Sequence, residues 1–173
     1  MSEAIEHLAA ERPAGLIRVS DVLRHWGHGH EPVMLSDAAR TAQQAADALG
    51  VALGQIAKSI IFRRKSDDVA VLVVTSGDLR VDEKKVQAIV CPEGGKLGRA
   101  DADFVKTKTG FSIGGVSPLA HATPPVTLID AQLFRFTDIW AAAGHPHGVF
   151  RLTPAELQSM TGAPVHDVTE PLN

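Results

Sequence analysis

The residues best placed to do chemistry carry little side chain between them. "TGFSIGGVSPLAH", Thr109 to His121, sets two adjacent glycines, a hydroxyl and a proline in one loop. Such a stretch is either plain turn chemistry or a loop whose backbone lies close against a ligand, since only glycine lets N–H and C=O groups approach so nearly. Lys58, in "QIAKSIIF", stands between apolar neighbours at the start of a strand-like run. It reads either as an ordinary solvated edge residue or as a cation at the mouth of a pocket. In the second reading its ammonium, charged near neutral pH, holds a phosphate or polarises an ester carbonyl. A Schiff-base lysine would need a depressed pKa and a cofactor site, and the sequence offers no such site.

Other chemistries lack their parts. The loop has neither G-x-G-x-x-G nor the Lys-Ser/Thr of a P-loop. No G-x-S-x-G elbow marks a serine hydrolase. Cys91, the one cysteine, directly precedes a proline at the expected end of a helix, where the dipole disfavours a thiolate. His28 and His30 form one H-x-H pair and His145 and His147 another, but no Cys or HExxH helix accompanies them, so no metal is expected. Positioning and main-chain hydrogen bonding are left, rather than a side-chain triad.

The elements that must position these groups follow from pattern. "SDVLRHW" reads as helix, with Ser20 as cap and Val22, Leu23 and Trp26 on one face. "TAQQAADALG" carries a Thr41/Gln44 capping box, an alanine face (Ala42, Ala45, Ala46) and Gly50 as its stop; so small a face predicts close packing on a neighbour. "IAKSIIFRRKSDDVAVLVVTSG" reads as a hairpin whose second strand, apolar on both faces, belongs at a sheet centre. "VDEKKVQAIV" is a helix capped by Asp82 and burying Val86, Ile89 and Val90. "RADADFVKTKTG" is a short helix ending at Gly110, and "PPVTLIDAQLF" contains a strand. "DIWAAAGHPHGVFRLT" is a second hairpin, and "TPAELQSMTG" a last helix with a Thr153/Glu156 capping box; beyond Pro164 the tail reads as frayed. Strands arranged in hairpins predict an α/β (α+β) fold with a mixed, largely antiparallel sheet flanked by short helices.

The bulk numbers agree with one soluble domain. Of 173 residues, 45% are apolar and 21% charged, and 17 Lys plus Arg against 20 Asp plus Glu leave a net charge of −3. That balance argues against wrapping along a DNA duplex while leaving room for an RNA end. A single cysteine excludes an internal disulfide and suggests a reducing compartment. No signal peptide or membrane span is legible, so the expected location is the cytoplasm.

Taken together in order, "TAQQAADALGV…QIAKSIIF", "FSIGGVSPLAH", "LID" and "AAAGHPHGVFRLTPAEL" resemble the YbaK/EbsC family, related to the editing domain inserted in bacterial prolyl-tRNA synthetase. The resemblance implies an editing-domain fold over residues 33–173; residues 1–32 have no equivalent in it and read, from their own pattern, as a helical N-terminal extension packed on the domain. It implies a free-standing aminoacyl-tRNA deacylase that needs no cofactor. The acceptor end of an aminoacyl-tRNA, often that for proline, would be its substrate, and prolyl-tRNA synthetase a further partner; a module that binds without hydrolysis is the alternative. The family's lysine falls on Lys58, as the catalytic residue. Its G-x-x-x-P substrate loop falls on Gly114 to Pro118, with Gly115 and Ser117 inside it. Ser59, Asp130, Gly144 and His145 complete the substrate-binding positions that the resemblance implies. Bound water, helped by the substrate's ribose hydroxyl, would be the nucleophile.

Overall fold

The computed structural model describes residues 13–36 and 39–171. The part of the N-terminal extension formed by residues 1–12, expected to be helical, lies outside the described residues.

Helix α1 (Ala14–His25) starts well before the expected cap. Pro13 is its N-cap residue, and "AGLIR" continues the helical period upstream, so Ser20 falls in the helix interior and is buried. The buried face is Leu16, Val19, Ser20 and Leu23; Trp26 is 51% exposed. A two-residue strand β1 (Val33–Met34) precedes α2 (Ala42–Leu49). In α2, Thr41 Oγ accepts from the Gln44 N–H while the Gln44 side chain accepts from the Thr41 N–H, both at 3.1 Å. Gly50 ends the helix in the left-handed region that its φ of 71° requires.

Strand β2 (Ile56–Arg64) pairs along its length with β3 (Val69–Ser76), antiparallel, with Lys58 opposite Thr75 and Ser59 opposite Val74. The unbroken apolar run of β3 has a direct cause: the strand feeds two cores. Leu72 and Val74 join Leu16, Phe111, Ile129, Ile139 and Phe150 on one face. Val71 and Val73 join Phe62, Leu128 and Val168 on the other, with Val86 and Val90 of α3 (Glu83–Val90). Ile89, expected in that face, is 41% exposed, because Val86 and Val90 already hold the i, i+4 positions over the sheet.

The chain continues through β4 (Leu97–Arg99), α4 (Ala102–Thr109), the glycine loop, β5 (Val126–Asp130), β6 (Ile139–Ala142), β7 (Gly148–Leu152), α5 (Pro154–Thr161) and β8 (Val165–His166). Among the described residues the main path of the sheet runs β1-β7-β6-β2-β3-β5-β8, with β4 added to β2. The long β2–β3 ladder and the β6–β7 hairpin are antiparallel, and β2–β6, β3–β5 and β5–β8 are parallel. The sheet is thus mixed, with short helices about it.

From Val165 to Glu170 the tail is not frayed. Beyond Pro164, β8 pairs with β5, and Val168 is fully buried. The buried carboxylate of Asp130 accepts from the Val168 N–H (3.0 Å) and the Thr169 hydroxyl (3.3 Å), which fixes this segment against the sheet.

Candidate active site

One interruption in the sheet makes the site. On its far side from β3, strand β2 pairs with β6 only at Ile56 and Ala57, and with β4 only from Phe62 to Arg64. From Lys58 to Ile61 that edge has no strand partner among the described residues. A cavity of about 270 Å³ opens at the gap. Its floor is β2, and Trp140, Ala141 and Ala142 of β6 form one wall. Ala39, Ala42 and Ala45 form a second, and Gly114 and Val116 close it from the glycine loop. The small face of α2 therefore leaves space as well as packing closely.

Lys58 is half-buried at this gap, and no side chain or main-chain group among the described residues hydrogen-bonds or pairs with its ammonium. Beside it, Ser59 has a buried hydroxyl without a hydrogen-bond partner among the described residues, an unusual state for a buried polar atom. Lys58 also borders a wider, open depression of about 1460 Å³. That depression sets Arg80, Lys84 and Arg99 against five acids, and two of these, Asp82 and Asp101, cap helices. The smaller cavity is the better candidate, because glycine main chain, an unpaired cation and an apolar recess meet there.

The glycine loop is divided in role. Gly114 is exposed, has φ 93° and would meet nothing if it carried a β-carbon. Gly115 is buried, and its N–H donates to the Ser112 carbonyl at 3.1 Å. A β-carbon on Gly115 would lie 2.8 Å from the His145 carbonyl carbon and 3.0 Å from its Cα and N. Glycine is needed at Gly115 because a second loop's backbone lies against it.

Ser117 and Pro118 are buried and are not among the residues that line the cavity. The Ser117 hydroxyl accepts from the Leu119 N–H at 3.1 Å, and its carbonyl accepts from His121 Nε2–H at 2.5 Å. Burial, offset in part by that hydrogen bond, depresses the His121 pKa, and the Arg18 cation lowers it further.

The second hairpin's turn sits behind the loop. Gly144, at φ 84°, packs on Gly15 of α1 and on Phe111. His145 Nδ1 accepts from the His147 N–H at 3.1 Å, so this ring is tied into its own turn; Pro146, Gly148 and Val149, not Gly144 or His145, border the cavity. Asp130 lies apart. Its Oδ2 caps the turn after β5 through the Gln132 N–H (3.1 Å), and the other oxygen holds the tail. The structure thus brings Lys58, Ser59 and Gly114 to one cavity, sets Gly115, Ser117, Pro118, Gly144 and His145 in its supporting shell, and leaves Asp130 outside it. His28 is engaged by Glu156 (3.3 Å) and the Arg151 carbonyl (2.7 Å), and no three His, Cys, Asp or Glu side chains among the described residues are grouped to hold a metal.

Trp140, Val116, Pro146 and the alanines of α2 escaped sequence reasoning as site residues. The alanine face was a signal, since a helix face without bulk is also how a chain leaves a recess.

Comparison with known proteins bears on this geometry. The family described as an aminoacyl-tRNA editing domain matches residues 36–160. The uncharacterised protein YwhH of Bacillus subtilis (strain 168) is 34% identical over 136 residues, 79% of this chain and 84% of the relative. A proline–tRNA ligase of Thermoanaerobacter sp. (strain X514) is 28% identical over 94 residues, which are 54% of this chain and 16% of the ligase. A crystal structure described as a candidate trans-editing enzyme for prolyl tRNA synthetase superposes with a TM-score of 0.84 at 39% identity, covering 92% of this chain and 99% of that one.

Proposed function

The chain belongs to the aminoacyl-tRNA editing-domain family, and from that premise we propose that it hydrolyses the ester of mischarged aminoacyl-tRNA in trans, on tRNA for proline. The observation that carries the reading is the Lys58 ammonium, without a hydrogen-bond or ion-pair partner among the described residues, beside a recess closed by glycine main chain. The recess, at about 270 Å³, is of a size to take an aminoacyl group. The rest of the acceptor end stays outside, toward the cytoplasmic solvent where such tRNAs occur.

In the reaction a water oxygen attacks the ester carbonyl and forms a tetrahedral oxyanion. Collapse breaks the bond to the ribose oxygen, which takes a proton, and frees the amino acid. Lys58 supplies positive charge where the oxyanion develops, and main-chain groups of the glycine loop orient the acyl group. Gly115 donates its N–H to Ser112, so the unassigned main chain on either side, at Gly114 and Val116, is the better receptor. The proline specificity and an association with prolyl-tRNA synthetase rest on the ligase and trans-editing relatives.

The test is release of labelled amino acid from tRNA for proline charged with alanine, cysteine, serine or proline. Faster hydrolysis of at least one mischarged species than of the prolyl species is expected. Tight binding of these tRNAs with hydrolysis no faster than in buffer would instead identify a non-hydrolytic binding module.

A further inference from the structure

Helix α1 lies wholly before the region that the family match covers, which begins at residue 36. Yet one of its side chains holds the glycine loop at both ends. The half-buried Arg18 guanidinium donates to the carbonyl oxygens of Thr109 (3.0 Å) and Gly110 (3.2 Å), where the loop leaves α4, and to that of Ala120, where it closes. The same guanidinium lies 4.5 Å above the Phe111 ring. Three carbonyls from the two ends of one loop converge on a single planar fork, a geometry lysine cannot reproduce. The cation also sits at the C-terminus of α4, where the helix dipole favours it.

The loop needs such a fastening. Ala120 is held at φ 63°, a conformation that residues with a β-carbon rarely adopt. Its ends are drawn together by the Ala122 and Thr123 N–H groups, which donate to the Thr109 and Lys108 carbonyls at 2.9 Å. One turn before Arg18, Gly15 packs directly on Gly144 of the turn whose backbone backs Gly115. A single helix therefore touches both loops that shape the cavity.

We propose that Arg18 is a positioning residue for the reaction: its guanidinium locks the two ends of the glycine loop, so that Gly114 and Val116 stand at the open edge of β2. The proposal rests on the deacylase reading for its effect on rate, but the lock itself is a statement about this chain alone. Releasing it lets the loop shift by a fraction of an ångström to an ångström, which misplaces the acyl group more than it weakens the hold on the tRNA.

The experiment uses the full chain as wild type, Arg18→Ala and Arg18→Lys, with two readouts. The first is kcat and KM for the fastest substrate of the charged tRNA-for-proline panel, with and without millimolar methylguanidinium. Arg18→Ala is expected to lose roughly ten- to a hundredfold in kcat with KM changed less than about threefold. Arg18→Lys should fall between the two, and methylguanidinium should restore part of the alanine variant's rate only. The second is amide hydrogen exchange, where protection should drop at Gly115, Ala122 and Thr123 while Leu72 to Val74 of β3 stay as protected as in the wild type. Unchanged kcat, or exchange that rises equally in loop and β3, would overturn the proposal. If the wild type hydrolyses none of the panel, the deacylase reading fails, and the exchange readout alone decides whether Arg18 is the lock.

Discussion

Gly115→Ala separates a loop that works from a loop that merely turns. The added β-carbon would sit 2.8 to 3.0 Å from three backbone atoms of His145, against an ordinary carbon–carbon contact of about 3.5–4.0 Å. One of the two loops must therefore yield by about 0.5–1 Å, and His145 cannot turn aside because the atoms in the way are main chain. Overpacking of this size costs about 1–3 kcal/mol of stability. A displacement of that order next to the reacting groups costs up to about a hundredfold in rate. Ser117→Ala is the control. It removes the acceptor of the buried Leu119 N–H, which costs about 1–3 kcal/mol of stability, but it does not touch the cavity wall. The two variants should thus lose similar stability while only Gly115→Ala loses turnover. Melting temperature and kcat for the folded fraction of each give the answer. Equal turnover in both at matched stability would refute the reasoning and reduce the loop to a turn.

Lys58→Ala should keep its fold, since no hydrogen bond or ion pair among the described residues depends on the ammonium, and should lose about a hundred- to a thousandfold in deacylation; a variant with full activity removes the lysine from the mechanism. Stability should fall on acidification below about pH 6.5: the His121 pKa is lowered in the folded state by burial, so the unfolded chain takes up a proton that the folded chain refuses. Thermal melts of wild type and His121→Gln between pH 8 and 5 read this, and an equal acid slope in both would exclude His121 as its source. Chelation by EDTA should leave deacylation unchanged, because His28 already binds Glu156 and Arg151 and no metal-ligand group forms among the described residues; loss of activity with recovery on adding zinc would reopen the histidine pairs.

What the sequence made legible were features that act locally. The Thr41/Gln44 and Thr153/Glu156 capping boxes and the glycine stops at 50, 110 and 162 are written in adjacent residues, and each is present. The central place of β3 was legible because an apolar run on both faces has few other uses. What stayed hidden depended on partners far along the chain. Ser20 reads as a cap until the helix is seen to begin at Ala14, and the tail after Pro164 reads as frayed until Asp130, 38 residues before Val168, is found holding it. Asp130 shows the same limit from the other side. Its type and its "LID" context suit a substrate contact, but its two oxygens are engaged by Gln132, Val168 and Thr169.

The site itself is built from an omission. A sheet that paired β2 fully on both sides would have no free edge at Lys58 and no cavity. The gap persists because β6 leaves after Ala57 and β4 arrives only at Phe62, and because the covering helix presents alanines where leucines would fill the space. The glycine loop is fixed from within by the Ser117–His121 hydrogen bond and from outside by Arg18 and by the turn behind Gly115. This arrangement places the conformational cost of an ordered loop on residues that never border the cavity. Substitutions that alter rate without touching substrate should therefore concentrate at Arg18, His121 and the Gly144 turn, while the lining alanines should tolerate change in rate but shift which acyl group is accepted.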